Sequence, residues 1–210
     1  MHEALEFLKQ LTDPESIIKY GGLSLLLFVI YAETGLLIGF FFPGDSLVLI
    51  SGIICASRPE LLNIHIVVLE LSLITAAVLG NITGYWFGNK MGKRLLHRKD
   101  SLIFKKSYLE MTQSFYEKNG GKTLVIGRFL PIIRTFAPIL AGIIQIDKKK
   151  FMLYNIAGAV LWISLLCTIG YRFGRVPWVQ HNIGYIIIAL VIITMFPLLI
   201  ITYKKSRQKR

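Results

Sequence analysis

Residues 127–135 read GRFLPIIRT and place two arginines and a proline within an apolar stretch that runs from 123 to 146. Inside a bilayer, a charge near the centre costs about 2.5–3.5 kcal/mol on insertion scales, and proline frees backbone groups that lipid cannot satisfy. The stretch therefore predicts a broken membrane segment that is buried in protein or lines a polar cavity. The break at Pro131 would let Arg128 and Arg134 converge on one site.

The composition indicates an all-α integral membrane protein. Of the 210 residues, 54% are hydrophobic and 17% are charged, whereas a soluble domain usually carries about a quarter charged residues. Several apolar blocks approach the roughly 20 residues that cross a bilayer. The polar first twenty residues do not resemble a cleavable signal peptide.

The distribution of charged, cysteine and histidine residues argues against a nucleic-acid-binding protein and against a metalloprotein. The net charge of +12 lies between the apolar blocks and not on one soluble face, which favours membrane orientation over nucleic-acid binding. Cys55 and Cys167 stand alone in apolar stretches, and the four histidines are scattered. We therefore expect no metal site and no cofactor.

The hydropathy pattern predicts a single membrane domain over 1–210 with alternating broken and continuous apolar segments. The predicted elements, in chain order, are a surface amphipathic helix at 3–11, an interrupted hairpin at 21–56, a spanning helix at 64–87, a basic linker with an amphipathic helix at 89–122, a second hairpin at 123–146, spanning helices at 151–171 and 183–203, and a basic tail at 204–210.

Two sets of short motifs suggest an internal repeat. SGII at 51–54 and AGII at 141–144 close the two broken segments, and GYWFG at 84–88 and GYRFG at 170–174 end the helices that follow. These matches predict repeats at about 20–88 and 123–174, with chance similarity among apolar sequences as the alternative. Paired broken segments in two halves are typical of a transporter binding site.

The distribution of basic residues predicts the topology. If both broken segments are re-entrant, residues 88–122, 147–150 and the tail share one side, with seventeen Lys or Arg and four Asp or Glu. The other side carries five of each. The positive-inside rule assigns the first side, with the C-terminus, to the cytoplasm. The hairpins then enter from opposite sides, as an inverted repeat; a first hairpin that crosses fully would move only the N-terminus inside.

The candidate site combines acids from the first hairpin with arginines from the second. Arg128 and Arg134, with Thr135 beside them, are predicted to bind phosphate, because arginine presents a planar fork of donors. Glu33 and Asp45 would carry protons or balance charge. Buried ion pairs that only brace the hairpins are the alternative. Pro43, Gly44, Pro131 and Gly142 are predicted to break the segments, and secondary candidates are Glu70, Tyr85, Asn155 and Trp162. For the aromatic side chains, packing or interfacial anchoring is the favoured interpretation.

With these residues the chain resembles the DedA family of bacterial membrane proteins, whose eukaryotic relatives share the VTT, or SNARE-associated, domain. The resemblance covers about 20–175 and rests on Glu33, FPGD at 42–45, Gly80, GYWFG at 84–88, GRFLPIIRT at 127–135 and Ala141-Gly142, with Asn155, Gly158 and Trp162 also matching. It implies opposed re-entrant hairpins, lipid transport that depends on the proton-motive force, and functional roles for Glu33, Asp45, Arg128 and Arg134.

The resulting hypothesis is a proton-coupled flippase that returns undecaprenyl phosphate across the bacterial inner membrane. The first alternative is a flippase or scramblase for phosphatidylethanolamine or another phospholipid. A lipid phosphatase is disfavoured, because none of the histidines that could act as nucleophile lies in a broken segment; a structural or channel-like protein is the remaining alternative. The expected partners are the lipid substrate and the membrane, without nucleic acid, and a homo-oligomer is left open.

Overall fold

The computed structural model describes residues 14–36, 44–96 and 106–182, together with 185, 186 and 189. Its helices are α1 Pro14–Gly35, α2 Gly44–Ser57, α3 Ile66–Leu96, α4 Lys106–Asn119, α5 Thr123–Ile126, α6 Pro131–Ile143, α7 Lys148–Gly174 and α8 Pro177–His181, with 3₁₀ turns at Gly120–Lys122 and Gly127–Phe129. No strand occurs in these ranges, as the all-α prediction requires. The surface helix predicted at 3–11, Pro43, most of the final spanning helix and the basic tail lie outside the described residues.

Two helices are long and apolar enough to cross a bilayer. They are Ile66–Met91 within α3 and Lys148–Gly174, with mean hydropathies of 2.0 and 1.8. At 1.5 Å per residue each extends about 40 Å, more than the ~30 Å hydrocarbon core. They correspond to the spanning helices predicted at 64–87 and 151–171, but α3 begins two residues later than predicted, at Ile66, and continues beyond the predicted end to Leu96.

Three further apolar helices are too short to cross alone. They are Gly22–Gly35, which follows a kink at Gly22 (φ 55°), Gly44–Ser57 and Ile133–Ile143. The longer two have 14 residues, or about 21 Å, so each covers only part of a bilayer. Other protein elements must therefore satisfy the polar groups at their ends.

The break predicted at Pro131 is present as a helix boundary. The 3₁₀ turn Gly127–Phe129 leads to Leu130, which is extended (φ −118°, ψ 108°), and α6 then begins at Pro131. Proline suits the first helical position because its missing N–H needs no partner there. The prediction that Gly142 breaks the segment is wrong, because α6 is helical through Gly142 and ends at Ile143.

The described chain forms two compact units, and the first contains the described residues of Met1–Leu26, Pro43–Ile66 and Leu166–Arg210. Within it, α2 packs closely on the last turns of α7. A Cβ added at Gly52 would lie 3.0 Å from the Tyr171 nitrogen, and one added at Gly170 would lie 3.2 Å from the Ile53 nitrogen. The absence of side chains at both glycines is what lets the two backbones approach.

The second unit contains the described residues of Leu27–Phe42 and Val67–Leu165. Here α6 packs on α3 with the same kind of contact: a Cβ added at Gly142 would lie 2.7 Å from the Asn89 nitrogen. The Tyr85 hydroxyl donates to the Ile146 carbonyl at 2.7 Å, and its ring lies 4.4 Å from that of Phe151. Gly142 and Tyr85 therefore join α3 to α6 and to the start of α7.

The units cut across the two repeats predicted from sequence. In the first unit, the short helix that ends the first repeat's broken segment packs on the GYRFG turn of α7. In the second, the corresponding helix α6 packs on the GYWFG turn of α3. Each short helix thus packs on the long helix of the other predicted repeat, a pairing that the motifs alone did not predict.

Gly52→Ala and Gly142→Ala should both destabilise the protein, by about 1–3 kcal/mol, because each new methyl group meets backbone that cannot move aside. Elsewhere in a helix, Gly→Ala stabilises by roughly 1 kcal/mol. A loss of stability at these two positions would therefore identify the close backbone contact. Thermal unfolding in detergent measures the effect. Ala157→Val, at an exposed position of α7, is the control, and melting temperatures at or above wild type for both glycine variants would contradict the packing.

Candidate functional site

The second unit contains a buried ion pair between Glu33, in the last turn of α1, and Arg134, in the first turn of α6. Nη2 of Arg134 donates to Oε1 of Glu33. The two side chains are 1% and 6% exposed, respectively. Removing either partner of such a pair would leave the other charge buried and uncompensated, which is strongly destabilising. This pair confirms the prediction that an acid of the first broken segment contacts an arginine of the second.

Trp162 of α7 lies against the same arginine. The guanidinium carbon of Arg134 is 4.9 Å from the centroid of the indole ring, and Trp162 is buried. Burial excludes interfacial anchoring for this tryptophan and leaves packing, to which the structure adds a cation–π contact. Such contacts are worth up to about 2 kcal/mol when they are desolvated.

Arg128 has a different environment from Arg134. Its side chain, in the 3₁₀ turn Gly127–Phe129, is 2% exposed. Nη2 donates to Asn155 of α7, to Oδ1 at 2.8 Å and to the backbone carbonyl at 3.1 Å. Among the described residues, no carboxylate pairs with Arg128, and its Nε and Nη1 groups are buried without a hydrogen-bond partner.

Gly158, one turn beyond Asn155 on α7, leaves room for this arginine. A Cβ at Gly158 would lie 2.8 Å from Nε and 3.0 Å from Cδ of Arg128. The aliphatic part of the arginine therefore lies along the bare face of α7. This contact explains in physical terms why the position is a glycine.

Asn81, in the middle of α3, completes the environment of Arg128 and was not predicted from the sequence. We orient its amide so that Nδ2 donates to the Thr34 carbonyl at 3.0 Å and Oδ1 accepts from Nη2 of Arg128 at 2.8 Å. The opposite orientation keeps a 2.8 Å bond from Nδ2 to Oδ1 of Asn155, but it places that nitrogen against the guanidinium and the amide oxygen against a carbonyl. The signal in the sequence that could have identified Asn81 was a polar amide in the middle of a predicted spanning helix.

The remaining sequence candidates lie at several places. Thr135 is buried beside Arg134 in α6. Gly44 begins α2, in the first unit, and Asp45 lies in its first turn, where the helix dipole favours a carboxylate. Glu70 is half-buried in α3, eleven residues and therefore about 16 Å along the axis from Asn81. Tyr85 has a packing role, as described above.

The electrostatic balance of the second unit's cluster favours an anion. Arg128 and Arg134 interact unfavourably because both carry positive charge. Glu33 supplies one negative charge and is bonded to Arg134. With one acid and two arginines, these three residues sum to +1. A bound phosphate would offset the repulsion and accept the hydrogen bonds that Arg128 does not make internally.

Comparison with known proteins places these features in a family. The VTT domain matches residues 42–172, a range that includes both arginines, Asn81 and Asn155. The chain is 38% identical to Protein DedA of Escherichia coli (strain K12) over 174 residues, which are 83% of this chain and 78% of that protein. No solved structure matches the chain.

Two further relatives extend the comparison. A membrane protein of Mycobacterium tuberculosis (strain H37Rv) is 35% identical over 185 residues, or 88% of this chain and 80% of that protein. The inner membrane protein YqjA of Escherichia coli (strain K12) is 29% identical over 208 residues, or 95% and 91%. With the apolar helices described above, these relatives define the chain as a helical membrane protein. It belongs to the DedA family and contains a VTT domain.

Removing one partner of the Glu33–Arg134 pair should cost about 3–5 kcal/mol of unfolding free energy, because the other charge remains buried. Glu33→Gln and Arg134→Met test this singly, and the double variant should lose clearly less than the sum. Chemical unfolding in micelles measures each value. Glu110→Gln removes an exposed carboxylate of α4 and should be nearly neutral. Additive losses in the double variant would show that the pair is not coupled.

Proposed function

We propose that this DedA family protein is a flippase that moves the phosphate headgroup of a lipid, undecaprenyl phosphate, across the bacterial inner membrane. The observation that carries the proposal is the buried Arg128 guanidinium, which has only neutral oxygen partners among the described residues. A buried cation of this kind costs free energy in the empty protein. An anionic ligand lowers that cost, and phosphate oxygens match arginine donors well.

The proposed architecture is an inverted repeat of two re-entrant hairpins. The lengths of the short apolar helices, about two thirds of the hydrocarbon thickness, support segments that enter and return on one side. The reciprocal packing of α2 on α7 and of α6 on α3 supports a true repeat over a chance similarity. The basic connections favour a cytoplasmic C-terminus.

In this proposal the carboxylates control access to the arginines. Protonation of Glu33 would neutralise the partner of Arg134 and free that guanidinium for the headgroup, and deprotonation would restore the pair and release the lipid. Such an exchange couples transport to the proton-motive force. Asp45 is the second candidate for proton uptake, from the N-terminal turn of α2. The isoprenoid tail remains in the bilayer, so only the headgroup needs a polar path.

The proposal makes the protein a transporter and not an enzyme. The headgroup is bound and released without a covalent step, so neither a nucleophile nor a cofactor is required. Its partners are the lipid substrate and the surrounding membrane. A lipid phosphatase would instead release inorganic phosphate from the same substrate, which a phosphate assay on the purified protein detects.

Arg128→Ala and Arg134→Ala should abolish transport of undecaprenyl phosphate into the opposite leaflet of proteoliposomes, because each removes donors that the headgroup needs. Lysine at either position should restore little, since an ammonium lacks the planar fork. Lys149→Ala, which removes an exposed cation at the start of α7, should transport normally. All variants are compared at equal amounts of folded, reconstituted protein.

Lipid competition separates the proposed substrate from phosphatidylethanolamine. Undecaprenyl phosphate in excess should block its own labelled form, whereas phosphatidylethanolamine should not. Efficient competition by the zwitterionic lipid would indicate a general phospholipid flippase or scramblase. Normal transport by both arginine-to-alanine variants would refute phosphate recognition at this site.

A further inference from the structure

Two buried amides surround the arginine that lacks a carboxylate. We propose that Asn81 and Asn155 are positioning residues that hold Arg128 through neutral oxygens, so that its charge is kept for a phosphate monoester headgroup. Arg134, paired with Glu33, has a different role in the same site. The inference rests on the proposed function and gives the two arginines different roles in it.

The two amides are well suited to orient a guanidinium without neutralising it. Oδ1 of Asn81 and Oδ1 of Asn155 each lie 2.8 Å from Nη2 of Arg128. The two oxygens are also 2.8 Å apart and do not bond to each other, so the N–H groups of Arg128 are what hold them together. Both asparagines are buried, and the other end of each amide is fixed: Nδ2 of Asn155 donates to the Val78 carbonyl at 3.2 Å, and Nδ2 of Asn81 to that of Thr34 at 3.0 Å. Each oxygen is therefore pre-oriented before a ligand arrives.

The bonds at Nη2 leave the rest of the guanidinium to the ligand. Nε and Nη1 of Arg128 are buried and make no hydrogen bond to the described residues. Together they carry three N–H groups, which can only donate hydrogen bonds and therefore need acceptors. A phosphate monoester supplies only acceptors and up to two negative charges. An ammonium headgroup would meet two repelling guanidinium groups, so the arrangement selects an anion over a zwitterion.

A carboxylate in place of either amide would change this selection. Aspartate has nearly the same shape as asparagine, but it would form an ion pair with Arg128 like that between Glu33 and Arg134. The three charges of the cluster, now +1, would then sum to zero with the added acid. The protein would keep its fold, and the headgroup would lose the positive charge that attracts it.

The end of α1 connects the two arginines. Glu33 bonds to Arg134, and the carbonyl of the next residue, Thr34, accepts the bond from Asn81. Close packing holds this turn on α3, since a Cβ added at Gly80 would lie 2.6 Å from the Tyr31 carbonyl oxygen. The turn that carries Glu33 therefore also sets the position of the amide that orients Arg128.

The test compares Asn81→Asp and Asn155→Asp with wild type in the full-length protein, purified in detergent. Farnesyl phosphate is the probe, its binding is measured by calorimetry, and stability is measured by thermal unfolding. Each variant gains an ion pair with Arg128 but loses the Nδ2 bond to a backbone carbonyl, so both should fold and unfold close to the wild-type temperature. Both should bind the probe about tenfold or more weakly, the scale of one hydrogen bond to a charged group. Asn89→Asp adds the same charge at an exposed position of α3 and should bind like wild type.

Two further variants distinguish positioning from a purely structural role. Asn81→Leu and Asn155→Leu remove the amide oxygen without adding charge, and they should lose both stability and binding. If the asparagines were only structural, binding would follow stability across all four variants, and the stable aspartate variants would bind normally. That result, or failure of both aspartate variants to fold, would overturn the inference.

The proposed function can fail separately. If Arg128→Ala binds farnesyl phosphate as tightly as wild type, the arginine is not the phosphate site and the proposed function is wrong. If Arg128→Ala loses binding while both aspartate variants retain it, phosphate recognition stands and only the role of the asparagines is refuted.

Discussion

Two guanidinium groups share the interior of one unit with a single bonded carboxylate, and much of the surrounding structure accommodates that imbalance. Arg134 is paired with the carboxylate of Glu33 and lies against the aromatic face of Trp162. Arg128 is satisfied only in part and only by neutral groups. Because an uncompensated buried cation is costly, the residues around it must contribute in other ways, through oriented amides and through closely packed helices.

Glycine supplies that close packing. Gly158 lets Arg128 lie along α7, and Gly80 lets the end of α1 approach α3. In each case a methyl group would meet either the arginine or a backbone carbonyl within 2.9 Å. The glycines therefore have a direct electrostatic consequence, because they set the distances over which the charged groups and the amides interact.

The sequence predicted the elements that depend on local chemistry. The proline in GRFLPIIRT marked a boundary that the structure has as the start of α6, and the cost of buried charge correctly predicted that Glu33 meets an arginine. Asn81 was not predicted, because a single amide in a spanning helix costs little free energy and does not stand out from its apolar neighbours. Gly142 was taken for a break because its role depends on the backbone of Tyr85 and Asn89, which no local pattern identifies. The packing of each short helix on the long helix of the other predicted repeat could not be predicted for the same reason.

The Glu33–Arg134 pair also bears on how the protein is made. Its members are separated by 101 positions along the chain, and synthesis proceeds at about 5–20 residues per second. Glu33 therefore leaves the ribosome roughly 5–20 seconds before the arginine that neutralises it exists. During that interval the nascent segment must keep its acid protonated, hydrated or sheltered by the insertion machinery. The first broken segment is therefore not fully stabilised in the membrane until the second one has been synthesised and inserted.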